Sequence, residues 1–325
     1  MKKIICVLFS VLLVFSSCGV KYANDTYFAL DTFIKTHLPD SDVDIQEYIK
    51  TLEGIISKTD SNSEVFKINE NTSCEVSEET ASLIRFANEV SYKTNGAFDI
   101  TCGALSALWD FKSDNPIPPS EAEIEKAIEY VGYGNITVDG CKITKTSENV
   151  KIDLGGIGKG YIAEKSVEYL HENGINSGYL NLGGNIAIVG AKENGEGWGV
   201  AIRDPQRTDD TVGRVIISDG YLSVSGDYER CFEYNGEKYH HILNPKTGYP
   251  TVNEISSVAV ISDNGTLADA LSTALFVMGL QEGLQFYKEK SYDFEAIFIT
   301  NDGYIHMTDG IRSDFELTST NYKLK

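Results

Sequence analysis

The sequence predicts an α+β protein, with mixed, largely antiparallel sheets, segregated helices and one large folded unit. Three observations carry that expectation. Apolar residues recur at helical spacing in three segments before Gly132; short alternating segments with turn residues between them dominate from Ile136 to Val260; helical spacing returns only after Thr266. No linker longer than a few residues, low-complexity tract or fixed-period repeat interrupts the chain after Tyr27. With 325 residues, 42% of them hydrophobic, the chain can bury a large core without disulfides or metal, so wholesale disorder is excluded.

The N-terminus reads as an export signal. Lys2 and Lys3 precede an apolar run from Ile4 to Phe15, too short for a comfortable span and the right length for a signal h-region. The run closes on Ser16, Ser17 and Cys18, which resembles a bacterial lipobox in which Cys18 becomes the lipidated first residue; simple secretion is the alternative. The expected organisation is a signal peptide over 1–17, a lipid anchor and tether over 18–26, and the folded domain over 27–325. The expected location is the outer side of a bacterial cell membrane.

Alternation from Tyr27 to Leu38 predicts a strand. Ile45, Tyr48, Ile49, Leu52, Ile55 and Ile56 then mark a helix, with Asp42 and Asp44 near its N-terminus. A second helix opens at Ser77 and is stopped by Gly96; a third opens on the capping box Ser120 to Glu123 and ends near Gly132. The stretch from Gly96 to Phe111 reads as irregular. Strands are expected at Ile136 to Val138, Lys142 to Thr144 and Val150 to Leu154, the last entering a glycine-rich turn and a helix from Tyr161 to His171. Further strands follow at Tyr179 to Leu182, Ile186 to Val189, Trp198 to Ile202, Arg214 to Ile217 and Leu222 to Val224, then a hairpin turned by Asn235-Gly236. Helices at Thr266 to Met278 and Gln281 to Glu289 precede the strands Phe294 to Thr300 and Tyr304 to Met307.

Charge and cysteines narrow the chemistry. A formal charge of −20 repels a phosphate backbone, so nucleic acid is not an expected partner, and a bound phosphate ester calls for a divalent cation. Cys74, Cys102, Cys141 and Cys231 show no C-x-x-C spacing and no nearby histidine, which disfavours zinc; buried free thiols are expected over two disulfides.

Five segments could carry chemistry. Asp153-Leu154-Gly155-Gly156-Ile157-Gly158-Lys159-Gly160 leads into a helix, where bare amides favour an anion; a tight strand-to-helix turn explains it equally, and it is neither a P-loop nor a dinucleotide fingerprint. Leu182-Gly183-Gly184-Asn185 could be a bulge or a turn. Ser223 to Tyr228 precedes His240-His241, whose side chains diverge if both lie in one strand, leaving His241 as a base or an ordinary hydrogen-bonded histidine. Asp269 and Thr273 share a helix face and offer hard oxygens for magnesium, although Asp269 could merely offset the helix dipole. In Thr94 to Thr101, Asp99 is the residue that needs a reason.

In their order along the chain these segments resemble the ApbE-type FAD:protein FMN transferases. The resemblance also takes in Phe28-Ala29-Leu30-Asp31-Thr32, Ser63-Glu64-Val65, His241 to Gly248 and Asp269 to Thr273. It implies a single large ApbE-like unit that binds FAD with Mg²⁺ or Mn²⁺. It further implies passage of FMN to a Thr or Ser hydroxyl of a partner protein, with AMP released. Asp269, Thr273 and the carbonyl of Gly156 would hold the metal. Leu30, Ala97, Phe98, Asp99, Asp153, Lys159 and Ile242 match FAD-pocket positions, and His241 matches the histidine acting on the acceptor hydroxyl. The implied partner is an acceptor subunit of a membrane redox complex or another exported flavoprotein. Departures are Leu30-Asp31-Thr32 in place of Met-Gly-Thr, and Thr59 where an aromatic residue can stand. Alternative functions are a metal-dependent FAD pyrophosphatase and a non-catalytic flavin- or solute-binding lipoprotein.

Overall fold

The structure, a computed structural model, describes residues 20–325; the signal segment and Cys18 lie outside the described residues. Strands β1 (Tyr22–Ala29) and β2 (Thr32–Pro39) form a hairpin turned by Leu30 and Asp31 at φ of 55° and 57°. The single strand expected over Tyr27 to Leu38 is therefore two, and residues 22–26 of the expected tether belong to β1. A leucine in a left-handed turn gives no turn signal, which is why alternation alone ran across it.

Asp44 caps α1 (Ile45–Ile56), Ser63 caps α2 (Glu64–Glu70), and Ser77 caps α3 (Glu78–Lys93), which follows β3 (Ser73–Glu75). Next come α4 (Gly103–Trp109), inside the stretch read as irregular, and α5 (Glu121–Ile128), which opens on the expected capping box. Strands β4 (Ile136–Asp139) and β5 (Lys142–Lys145) follow. The strand expected over Val150 to Leu154 is absent; that segment makes only an isolated bridge between Lys151 and Cys102. Helix α6 (Gly158–Glu172) starts within the glycine-rich turn itself.

The chain then forms β6 (Tyr179–Leu182), β7 (Asn185–Ile188), β8 (Trp198–Arg203), β9 (Thr211–Ile217) and β10 (Gly220–Gly226). The hairpin β11 (Cys231–Tyr234) and β12 (Glu237–His240) turns on Asn235-Gly236 as expected. After β13 (Ile255–Ser262) comes α7 (Gly265–Lys288), whose kink at Gly279, φ 81°, accounts for the two helices read there. Strands β14 (Glu295–Thr300), β15 (Tyr304–Met307), β16 (Phe315–Leu317) and β17 (Lys323–Leu324) close the described chain.

Nine strands make the main sheet, in the order β1-β2-β6-β7-β10-β13-β14-β15-β17; every pair is antiparallel except β15 with β17. On one face, Ile49 and Leu52 of α1, Ile162 of α6 and Leu271 and Phe276 of α7 join Leu180, Val258 and Phe298 in the largest buried cluster. On the other, Val200, Ile202 and Val215 of the small sheet β16-β9-β8 pack with Ala259, Ile297 and Ile299. Burying an apolar side chain on this scale is worth about 1.5–3 kcal/mol each, so the three-layer stack is what fixes α6 and α7 against the sheet.

Those two helices touch through glycine. A Cβ on Gly160 would lie 2.2 Å from the carbonyl oxygen of Gly265, and one on Gly265 would lie 2.8 Å from that of Gly160. Their N-terminal turns can meet only without side chains. Cys74, Cys102, Cys141 and Cys231 are free thiols, with Cys231 exposed and the other three half-buried.

Candidate active site

The helix crossing sets the first group. Asp269, in the second turn of α7, is 4% exposed and accepts the Gly160 N–H at 2.9 Å on Oδ2. Its Oδ1 accepts from the Ser223 hydroxyl at 3.1 Å, and the Ser223 oxygen also lies against the side-chain amide of Asn185. Thr273 stands one turn further on, toward the glycine turn. A Cβ on Gly156 would lie 3.5 Å from Thr273 Oγ1 and 3.3 Å from the Phe98 ring. The structure thus gathers Asp269, Thr273, Gly156 and Phe98 at one place. Among the described residues no three His, Cys, Asp or Glu side chains cluster to hold a metal by themselves. The side-chain oxygens here are of two kinds, carboxylate and hydroxyl, and the main chain of Gly156 passes beside Thr273.

Asp153 enters the same turn but is already engaged. Its Oδ2 accepts from Lys58 Nζ at 2.6 Å and Ser106 Oγ at 2.7 Å, and its Oδ1 from the Gly155 N–H at 2.8 Å. Burial raises its pKa, but Lys58 and these hydrogen bonds outweigh that and hold the carboxyl below its ordinary value. Asp153 therefore braces the turn from within. Nothing in the sequence marks Lys58, since a lysine in a polar loop carries no periodic or motif signal.

His241 is the first residue past β12. Its Nδ1 is 2.9 Å from the Glu229 carbonyl oxygen; a carbonyl only accepts, so Nδ1 carries the proton and Nε2 keeps its lone pair. Burial, then the positive charges of Arg230 and Lys159, push its pKa down to about 4. The ring is neutral at neutral pH. His240 is a buried structural residue: its Nδ1 accepts the Ile242 N–H, so its Nε2 donates to the Thr251 carbonyl at 2.8 Å.

The remaining candidates divide. Leu30 forms the β1–β2 turn, its N–H donating to Glu53 Oε1 at 2.9 Å, while Asp31 beside it is paired with Lys112. Lys159 lies in the first turn of α6 and its charge is felt at His241. Ala97 and Ile242 are core residues. Asp99 faces its own chain, accepting from the N–H and hydroxyl of Thr101, and burial raises its pKa.

The ApbE family model matches residues 22–298 of this chain, most of its length. The chain belongs to the ApbE family. Among curated ApbE relatives, the FAD:protein FMN transferase of Vibrio cholerae is 30% identical over 80% of this chain and 80% of its own length. That of Haemophilus influenzae is 29% identical over 88% of this chain and 84% of its own. Among solved structures, the ApbE protein of Thermotoga maritima superposes with a TM-score of 0.83 at 34% identity, covering 90% of this chain and 99% of that one. The flavin transferase ApbE of Vibrio cholerae gives a TM-score of 0.77 at 25% identity, covering 93% and 99%. The α+β, largely antiparallel architecture read from the sequence is the ApbE fold.

Proposed function

We propose that this chain is an FAD:protein FMN transferase that uses Mg²⁺ to move FMN from FAD to a Thr or Ser hydroxyl of a partner protein, releasing AMP. The observation that carries the reading is the state of Asp269. It is a buried carboxylate whose partners among the described residues are neutral donors, Gly160 N–H and Ser223 O–H, in a chain of net charge −20. A buried charge without a counter-charge is costly, and a divalent cation would relieve it. Asp269, the Thr273 hydroxyl and the Gly156 carbonyl fit that ion as hard oxygen donors.

Bound there, the cation would offset pyrophosphate charge and act as a Lewis acid. The chain's own residues do the rest. The glycine turn lets backbone approach the phosphates, and Phe98 walls the pocket. Nε2 of His241 takes the proton of the acceptor hydroxyl as its oxygen bonds to the FMN phosphorus and the bond from that phosphorus to the AMP oxygen breaks. A base with a pKa near 4 is weak, but Arg230 and Lys159 are among the groups holding it there; the negative charge of bound FAD would offset both and strengthen it.

Anchoring through Cys18 belongs to the same proposal, supported by the order of basic, apolar and small residues in 1–18; no helix among the described residues is long and apolar enough to cross a membrane. The deciding experiment incubates the protein with FAD, Mg²⁺ and an exported redox subunit and then measures intact mass. Covalent FMN on the acceptor is expected. FMN and AMP in solution with an unmodified acceptor would instead make the protein an FAD pyrophosphatase.

A further inference from the structure

Between α7 and β10 lies a run of hydroxyls that neither the FAD contacts nor His241 explains. Ser223 and Ser225, two apart on β10, face the same helix. Ser225 Oγ is 2.8 Å from Ser272 Oγ and 3.4 Å from Thr273 Oγ1, and Ser272 Oγ is 2.9 Å from the main-chain carbonyl oxygen of Asp269. Ser272 is fully buried, and Ser225 and Thr273 beside it are half-buried.

The order of donation follows from counting protons. Each hydroxyl has one proton to give, and a carbonyl oxygen can only accept. Ser272 spends its proton on the Asp269 carbonyl, so toward Ser225 it can only accept. Ser225 therefore donates to Ser272, and toward Thr273 it too can only accept. The Thr273 hydroxyl is left as the donor in that last contact. Its proton points at Ser225, and its lone pairs are free on the side where Gly156 approaches.

We propose that Ser225, itself held by Ser272, is a positioning residue that fixes the Thr273 hydroxyl with its lone pairs turned toward the cation site. The proposal rests on the reading of Asp269, Thr273 and Gly156 as the cation's ligands. A threonine hydroxyl free to rotate would present its proton to a cation in part of its conformations; the serine chain removes those. Partners in the layer behind metal ligands commonly govern affinity by 10–100-fold.

Binding of Mn²⁺ alone, followed by its free-ion electron paramagnetic resonance signal, tests this without FAD or turnover. Ser225→Ala should weaken Mn²⁺ binding by roughly tenfold, and Ser225→Thr, which keeps the hydroxyl, should restore it. Thr273→Val should weaken binding at least as much, and the double variant Ser225→Ala/Thr273→Val should match Thr273→Val alone, because Ser225 would then have nothing to orient. If Ser225→Ala does not fold by circular dichroism, Ser225→Cys takes its place with the same expectation, its sulfur being a weak acceptor for the Thr273 proton. Losses that multiply in the double variant, or unchanged Mn²⁺ affinity in folded Ser225→Ala or Ser225→Cys while Asp269→Asn loses the ion, would overturn the serine chain alone. Equal Mn²⁺ binding by wild type and Asp269→Asn would instead bring down the cation reading and this proposal with it.

Discussion

The Gly160 N–H donates to the Asp269 carboxylate across 2.9 Å and so ties the first turn of α6 to the second turn of α7. The bond exists because both chains are bare at the crossing: a Cβ on Gly160 would sit 2.5 Å from Asp269 Cβ as well as 2.2 Å from the Gly265 oxygen. Gly160→Ala must push the helices apart. We expect a loss of about 1–3 kcal/mol in urea unfolding, the usual cost of overpacking, together with loss of FAD turnover. An unchanged urea midpoint would show that the crossing tolerates a methyl group.

Asp269→Asn keeps the shape of the side chain and removes its charge. FAD turnover should fall by roughly 10²-fold or more, consistent with the several kcal/mol that a Lewis acid supplies, while the variant stays folded. Wild-type protein in excess EDTA should lose turnover in the same way and regain it with Mg²⁺ or Mn²⁺. Full activity in EDTA would remove the metal from the reaction.

His241→Ala should slow transfer to the acceptor by about 10²–10⁴-fold, with FAD affinity kept within a few-fold. Stopped-flow transfer at saturating FAD and acceptor separates the two readouts. Equal rates would leave His241 as a wall of the pocket.

The same histidine makes a thermodynamic prediction. Its pKa is about 4 in the folded chain against an ordinary value of about 6.5, so on acidification the unfolded chain takes up the proton first. Stability should be unaffected by this group above pH ~6.5 and should fall as the pH drops from there toward ~4. Between pH ~7 and ~5 we expect a loss on the order of 1–2 kcal/mol from His241, with His240, also held low by burial, adding in the same direction. Urea midpoints of wild type and His241→Gln at the two pH values check this. A slope as steep in the variant as in the wild type would mean that the ring is not held neutral by its surroundings.

Elements with a local signature were legible in the sequence. Ser77 and the Ser120–Glu123 box announced their helices, and Asn235-Gly236 its hairpin, because capping and turn chemistry are carried by neighbouring residues. The Leu30–Asp31 turn was not legible, since its left-handed backbone is imposed by the pairing of β1 with β2 and by Glu53, 23 residues away. The site divides along the same line. Asp269 and Thr273 could be paired from helical spacing, whereas the engagement of Asp153 by Lys58 spans 95 residues of chain and leaves no trace in either segment. Asp99, singled out as a polar residue needing a reason, finds its partner two residues along, in Thr101.

The order of the main sheet places β1 at one edge and β17 at the other. Nine strands leave eight spacings of about 4.8 Å, so the two edges stand about 38 Å apart before twist is allowed for. A fluorescent protein fused after Lys325 therefore leaves from the edge opposite Tyr22. With the N-terminal side held at a lipid bilayer carrying an acceptor dye, energy transfer from that fusion would measure whether the sheet stands upright on the surface or lies flat along it.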